Sequence, residues 1–231
     1  MYVLDERIEQ VRGEETLDNP DKVSTGLRKD LIQPLVIRAN LGETVIINFT
    51  NRLVDGPASL HIHGLPHTIE NASGVVGTNP NTTASPGETM TYSITLPDDP
   101  EAERAYYFRD HGAARRRVVH GLFGALVAEP AGSTHLDVET GEELTENNWE
   151  AIIVPPSGHA FREFVLMYHE IGDENYDGIL DGNGRTLPVV DEVSETYRPS
   201  SRAINYRSES FHNRLSIKKD KSQGYGHGIF I

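Results

Sequence analysis

The chain has 231 residues, no cysteine and a formal net charge of -14, which arises from 35 acidic and 21 basic residues. This charge argues against a nucleic acid as partner, because phosphate backbones are bound by clustered Lys and Arg. The short basic run at 115–117 is typical of a solvated turn. The absence of cysteine excludes disulfides, zinc fingers and thiolate nucleophiles. No apolar run approaches the roughly 18 residues that a membrane span requires, so no span is predicted.

The N-terminal residues, MYVLDERIEQ, contain no positively charged region followed by an apolar one. A secretory signal is therefore not visible. This predicts either a cytosolic protein or a chain that lacks its natural beginning.

Short segments rich in β-branched and aromatic residues predict a protein built mainly of strands. The predicted strands, in chain order, are 35–40, 44–50, 90–96, 105–109, 121–128, 149–154 and 163–169. Turn signals rich in Gly, Pro and Asp lie between several of them. Many short strands with turns at this spacing are typical of an antiparallel sandwich or barrel.

Residues 129–160 are polar and rich in turn residues, except for WEAIIV at 149–154. This composition predicts a connection between two domains, with a boundary near residue 160. The roughly 70 residues after the boundary are few for a complete sandwich, which predicts a second β domain that is incomplete. The predicted division is an N-terminal extension at 1–33, a first domain at 34–130, a connection at 131–160 and a partial second domain at 161–231.

Three of the ten histidines fall within LHIHGLPHT, Leu60–Thr68. If this segment is a strand, His61 and His63 point to the same face, because side chains alternate along a strand. Imidazole is the commonest metal ligand, and same-face neighbours lie roughly 6.5 to 7 Å apart. This separation favours two neighbouring metal ions over two bonds to one ion. H-x-H alone is also compatible with surface or hydrogen-bonded histidines.

The segments around this pair follow a specific order. They are PLVIRANLGETVIINFTN at 34–51, SGVVGTNP at 73–80, SPGETMTYSITLP at 85–97, YYFRDHG at 106–112 and HGLFGALVAEP at 120–130. Together with H-x-H-G they resemble the first cupredoxin domain of the multicopper oxidases. That domain carries an H-x-H-G strand, a P-G-x-x-x-x-Y strand, an aromatic-H-x-H strand and a G-L-x-G-x-L-x-V strand. The resemblance implies an all-β chain with a cupredoxin-like Greek-key β-sandwich.

Beyond the boundary, FREFVLMYHEIGDE at 161–174 and SSRAINYRSESFHNRL at 200–215 are similar to the start of a second cupredoxin-like domain. The similarity is to a bacterial, ceruloplasmin-like branch of the family that includes manganese-oxidising members. It implies that the chain is a fragment, the N-terminal part of a larger oxidase. Missing cupredoxin domains or a partner chain would then complete the copper sites, and the protein would work outside the cytoplasm.

By motif, the resemblance implies that His61 is a type 2 copper ligand and that His63 and His111 are type 3 ligands. These residues would contribute to a trinuclear copper cluster that reduces oxygen to water with electrons from a reducing substrate. Without cysteine the chain lacks the H-C-H motif of a type 1 copper, and with it the electron entry site. The resemblance therefore predicts an oxidoreductase part that is inactive as an isolated chain. The alternative is a copper-binding or structural cupredoxin-like module without turnover.

The second histidine motif departs from the family pattern at Arg109, which stands where the common motif has a histidine. A guanidinium has no lone pair to offer a metal. Arg109 then either orients a carboxylate or an oxygen species near the cluster, or is a salt-bridged strand residue. His67 and His120 are candidates for a compensating ligand, and a surface or hydrogen-bonding role is the alternative for each.

An acidic segment further along the chain has the spacing D-x-N-x-D-G-x-x-D, which is similar to the start of a calcium loop. Its residues are Asp173, Asn175, Asp177, Gly178 and Asp181. The twelfth position of the loop is a glycine rather than the bidentate Glu of an EF-hand. A solvated acidic loop is the alternative to a calcium site.

Overall fold

The computed structural model describes residues 1–15, 33–66, 68, 82–112, 117–118, 121–145, 149–171, 190–191, 196–197 and 201–204. Among them the chain is built mainly of strands, with 3₁₀ turns at Asp5–Arg7 and Pro100–Ala102 and the α-helix α1 at Ile8–Glu15. The strands are β1 (Leu35–Asn40), β2 (Thr44–Thr50), β3 (His61–Ile62), β4 (Thr89–Thr95), β5 (Arg104–Arg109), β6 (Phe123–Glu129), β7 (Thr134–Leu136), β8 (Glu150–Val154), β9 (Phe161–Phe164), β10 (Tyr168–Ile171), β11 (Val190–Asp191), β12 (Thr196–Tyr197) and β13 (Ser201–Ile204). The predicted all-β class is confirmed. In this part of the chain, no helix has the length and apolar character needed to cross a membrane.

The predicted strands at 35–40 and 44–50 coincide with β1 and β2. The predicted strand at 163–169 is wrong as a single element, since β9 ends at Phe164 and β10 begins at Tyr168. Leu166, which lies between them, is 71% exposed. The apolar run that suggested one strand is therefore partly at the surface.

The chain forms two compact units. The sandwich unit consists of Leu35–Ala114 and Phe123–Val165 and contains β1 to β9. The other unit consists of Met1–Pro34, Arg115–Leu122 and Leu166–Ile231, and contains α1 and the antiparallel pairs β10–β13 and β11–β12. β9 follows the predicted boundary near residue 160 but pairs with β8. The division of the chain into domains stays a prediction.

The described residues of the sandwich unit form three sheets. One has the strand order β1-β6-β5-β3, the second consists of β2 and β4, and the third has the order β7-β8-β9. β1 and β6 are parallel, whereas β6 and β5, and β5 and β3, are antiparallel. β1 and β2 are consecutive in the sequence but belong to different sheets, as Greek-key connections allow and a simple meander does not. The predicted β-sandwich is confirmed.

β6 is buried along its whole length in the sandwich unit. This strand lies between β1 and β5, and all seven of its residues are buried. At Gly124 a Cβ atom would lie 2.3 Å from the carbonyl oxygen of Leu35 and 2.3 Å from the ring of Phe108. Only glycine allows β1 and the Phe108 ring to approach this closely. Phe108 is fully buried, so this contact holds β5 against the core.

A buried ion cluster joins β1, β6 and β9. The Arg38 guanidinium contacts Glu129 Oε1 at 2.5 Å and Glu163 Oε1 at 2.9 Å. The side chains of Arg38 and Glu129 are each only 1% exposed. Burial, followed by the negative charge of Glu163, raises the pKa of Glu129 to about 7, and Arg38 opposes this shift. One cation shared by two carboxylates thus leaves Glu129 with a strong affinity for a proton.

The contribution of Glu129 to the free energy of unfolding is expected to fall as the pH rises from about 4.5 to about 7. The reason is that Glu129 binds a proton more tightly in the folded chain than in the unfolded chain, so its stabilising effect is present at low pH and is lost through this window. Urea unfolding near pH 5 and near pH 7.5 should show the wild type losing stability relative to Glu129→Gln. The exposed residue Glu139, changed to Gln, is the control. A difference between wild type and Glu129→Gln that does not vary with pH would contradict the assignment.

Candidate metal centre

The candidate site lies on one face of the pair β3–β5. His61 is paired with Arg109, and the backbone N–H of His63 donates to the carbonyl oxygen of Tyr107 at 2.8 Å, which extends the ladder by one residue. Because side chains alternate along both strands, every second residue points to the same side. The residues of this face include His61, His63, Tyr107, Arg109 and His111.

The three histidine rings converge. The rings of His61 and His111 are stacked, with centroids 4.2 Å apart and planes at 16°. The ring of His63 meets both of them edge-on, at centroid distances of 4.7 Å from His61 and 5.2 Å from His111. One ring nitrogen of each residue lies within 4.8 Å of those of the other two. The structure therefore brings together the three residues that the sequence predicts as ligands.

This arrangement fits a copper ion. Imidazole suits copper and binds metal ions of this size at about 2.0 to 2.1 Å, so two ligand atoms of one ion lie at most about 4 Å apart. The observed limit of 4.8 Å needs side-chain movements of about 1 Å or less to meet that geometry. The expectation of two separate ions depended on the spacing of Cα atoms along a strand. The ring nitrogens lie closer together than that spacing, so the geometry allows either one shared ion or neighbouring ions.

A buried network supports His111 from the core side. The carboxylate of Asp110, which is fully buried, accepts hydrogen bonds from the backbone N–H groups of Ser59 and Gly112, each at 2.8 Å. The Ser59 hydroxyl in turn accepts a hydrogen bond from the backbone N–H of His111 at 2.9 Å. These bonds join the segment before β3 to the segment after β5. They set the backbone position of His111 relative to His61.

Gly112 lets the two segments approach each other. A Cβ atom at this position would lie 2.7 Å from the carbonyl oxygen of Pro57 and 2.8 Å from Cα of Ala58. Both neighbours are backbone atoms, so the clash could not be relieved by a change of rotamer. The glycine that follows His111 is therefore part of the support of the site.

Arg109 lies beside the histidine rings. Its Nε donates to Nε2 of His63 at 3.1 Å, and its Nη1 donates to the backbone carbonyl of Asp110 at 3.3 Å. Among the described residues, none of the ion pairs involves Arg109. In this part of the chain, Arg109 therefore contacts the candidate ligand His63 and does not form the salt bridge that was one alternative for this residue.

The ring of Tyr107 packs against that of His63 at the exposed end of this face. Its ring lies 5.8 Å from that of His63, with the planes at 25°, and the residue is 38% exposed. Burial raises the pKa of Tyr107, and the nearby charge of Arg109 opposes that shift. Tyr107 therefore stays a neutral aromatic neighbour of His63 at ordinary pH.

The role of Ser59 and the buried contacts of Asp110 were not predicted from the sequence. The carboxylate of Asp110 accepts hydrogen bonds from the backbone N–H groups of Ser59 and Gly112. No local sequence pattern indicates this contact, because the hydrogen bond between Ser59 and Asp110 joins positions 51 residues apart in the chain. His67, His120 and the acidic segment 173–181 lie outside the described residues.

A β-sandwich that presents three converging imidazoles at the end of one sheet is a candidate copper-binding domain. The sequence profile of the multicopper oxidases matches residues 15–133, which are 119 of the 231 residues. This match contains the whole of β1 to β6 and all three histidines. The chain belongs to the multicopper oxidase family, and copper is the metal that membership implies.

Several known proteins are similar to this chain. It is 33% identical over 170 residues to the multicopper oxidase MmcO of Mycobacterium tuberculosis, which covers 70% of this chain and 30% of that protein. It is 25% identical over 162 residues to the iron transport multicopper oxidase FET3 of Kluyveromyces lactis, which covers 70% of this chain and 24% of that protein. The chain is also similar to a blue copper oxidase from Nitrosomonas europaea, whose crystal structure matches with 26% sequence identity and a TM-score of 0.36 over 41% of this chain and 29% of that chain.

The chain spans less than a third of the length of these relatives. The activity, substrates and partners of these relatives therefore do not carry over directly to this chain. The ceruloplasmin-like, manganese-oxidising branch inferred from the sequence also stays a prediction.

Proposed function

We propose that this chain supplies His61, His63 and His111 to the type 2 and type 3 copper sites of a trinuclear cluster in a multicopper oxidase. Copper, when bound, would supply the one-electron chemistry by which oxygen is reduced to water with electrons from a reducing substrate. The observation that carries the proposal is the convergence of three imidazoles, with ring nitrogens within 4.8 Å, in a chain of this family.

The three histidines have different supports, and this suggests different roles in holding a metal. His61 is buried and lies in β3, and its ring is stacked on that of His111. The backbone of His111 is held by Ser59. These two rings form the pre-organised part of the site. His63 is less buried, its ring packs against Tyr107, and it accepts a hydrogen bond from Arg109. Of the three ligands, its side chain must therefore move most to bind a metal ion.

Three imidazoles do not complete a trinuclear cluster, and the chain has no cysteine for a type 1 copper. In the proposed function, missing cupredoxin domains or a partner chain supply the remaining ligands and the electron entry site. Oxygen and the reducing substrate are then partners of the whole protein. The part played by this chain is to fix the geometry of three ligands.

A copper-binding module without turnover is the alternative function. The observation that favours it is the hydrogen bond from Arg109 to His63, at the position where the family motif has a histidine. Both functions require copper to bind at the same three residues. They differ in whether the completed protein consumes oxygen when the missing domains are present.

Copper titration tests the ligand assignment. The purified chain is expected to bind Cu(II) with nitrogen hyperfine structure in its electron paramagnetic resonance spectrum. A variant with His61, His63 and His111 all changed to alanine should lose at least about a hundredfold in affinity, because even changes to residues that only support a metal ligand cost up to about that factor.

The matched control for this titration is His159→Ala, which removes an exposed histidine outside the cluster. This variant should bind copper as the wild type does. Equal affinities for the wild type and the triple variant would show that copper binds elsewhere and would remove the basis of both candidate functions.

A further inference from the structure

We propose that Arg109 competes with the metal ion for His63, so that the guanidinium and copper exclude one another at this residue. The inference rests on the proposed function, because it takes His63 as a copper ligand. Arg109 is in this view a positioning residue that sets how tightly the site holds copper and when His63 becomes available. Nothing in the family motif predicts this, since the motif has a histidine at the position of Arg109.

The contact with Arg109 sets the tautomer of His63. Its Nε2 accepts a hydrogen bond from Nε–H of Arg109 at 3.1 Å, so Nε2 carries the lone pair. A neutral imidazole has one such nitrogen, and the proton is then on Nδ1. Copper bound at Nε2 would use the lone pair that Arg109 occupies. Copper bound at Nδ1 would require the proton to move to Nε2, where it would face the N–H of Arg109. In both cases the hydrogen bond is lost.

The guanidinium is also held by a second contact. Nη1 of Arg109 donates to the backbone carbonyl of Asp110 at 3.3 Å, and Arg109 stands opposite His61 in the register of β3 and β5. Copper can therefore engage His63 only after the side chain of Arg109 has turned away from it. The displaced guanidinium keeps its charge and stays attached to the strand beside the ion, which adds electrostatic repulsion to the cost of the lost hydrogen bond.

Removal of the guanidinium should therefore tighten copper binding. Arg109→Leu is expected to bind Cu(II) about tenfold more tightly than the wild type, because a hydrogen bond from a charged donor contributes about that factor to an equilibrium constant. In a His63→Ala background the same substitution should change the affinity by less than about threefold, since only the charge effect remains. The double-mutant cycle isolates the contact between Arg109 and His63.

Arg104→Leu is the matched control, because it removes the same charge from the same strand β5. Arg104 is exposed and lies five positions before Arg109, roughly 17 Å along the strand. The copper affinity of Arg104→Leu should equal that of the wild type. Tightening by Arg109→Leu that is the same with and without His63 would overturn the competition while leaving the ligand assignment intact. Insensitivity of copper binding to the triple histidine change would overturn the proposed function itself.

A measurement on the metal-free wild type does not depend on how the variants fold. Long-range proton–nitrogen NMR spectra of the imidazoles should show His63 with its proton on Nδ1 and an acceptor nitrogen at Nε2. On saturation with a diamagnetic ion such as Zn(II), the signals of the Arg109 side chain should shift together with those of His63. A metal-free His63 with its proton on Nε2 would refute the competition directly.

Discussion

Asp110→Ala is expected to lower the free energy of unfolding by about 3 kcal/mol, because it leaves the buried N–H groups of Ser59 and Gly112 without a charged acceptor. The same change should weaken copper binding at least about tenfold, as measured by titration of the folded fraction. The second effect follows because the network also sets the backbone of His111 through the Ser59 hydroxyl. Urea unfolding and copper titration measure the two effects separately.

Asp137→Ala is the matched control for this prediction. The carboxylate of Asp137 also accepts hydrogen bonds from two backbone N–H groups at 2.8 Å, those of Glu139 and Thr140, but these are exposed and water can replace the acceptor. Its loss should cost about 1 kcal/mol or less and leave copper binding unchanged. Asp110→Asn, which keeps one acceptor oxygen, should lie between the two. Equal costs for Asp110→Ala and Asp137→Ala would show that the buried network does not support the site.

The isolated chain, loaded with copper, is expected to show no intense blue absorption and no sustained oxygen consumption. The colour of a type 1 site depends on a copper–thiolate bond, and the chain has no cysteine to supply the thiolate. Without a type 1 site, electrons from a phenolic, ferrous or manganous donor have no established route to the three histidines. The expected effect is a complete loss of oxidase activity relative to a complete blue multicopper oxidase.

An oxygen electrode and an absorption spectrum test this expectation with each of the three donors. The triple histidine variant, loaded with the same amount of copper, gives the background from free or loosely bound metal. Oxygen uptake above this background that disappears in His61→Ala alone would show that electrons reach the cluster without a cysteine. It would also make the isolated chain an oxidase rather than part of one.

The strands of the sandwich could be predicted because their signal is local. β-branched residues are frequent in 35–40 and 44–50, and β1 and β2 begin and end at those residues. The same reasoning failed at 163–169, because an apolar composition does not show whether a segment has a neighbouring strand to pair with. β9 ends at Phe164, while Leu166 is largely exposed. Strand pairing depends on residues distant in the chain.

The candidate ligands could also be predicted from the sequence by itself. H-x-H places His61 and His63 on one face if the segment is extended, and the motif around His111 carries the family resemblance. The absence of cysteine, which excludes a type 1 copper in this chain, is likewise a fact of composition. The exclusion of a type 1 copper needed only composition, whereas the assignment of the three histidines as ligands also needed the family resemblance.

The tertiary structure decided what surrounds those ligands. The pairing of β3 with β5 brings Arg109 opposite His61 and within hydrogen-bond distance of His63. The approach of Ser59 to Asp110 closes a buried network across 51 positions of the chain. Hydrogen bonds depend on distances of about 3 Å and on direction, and only the folded backbone fixes these between residues so far apart. The sequence therefore determined which side chains can bind copper, and the fold determined that one of them, His63, already accepts a hydrogen bond from Arg109.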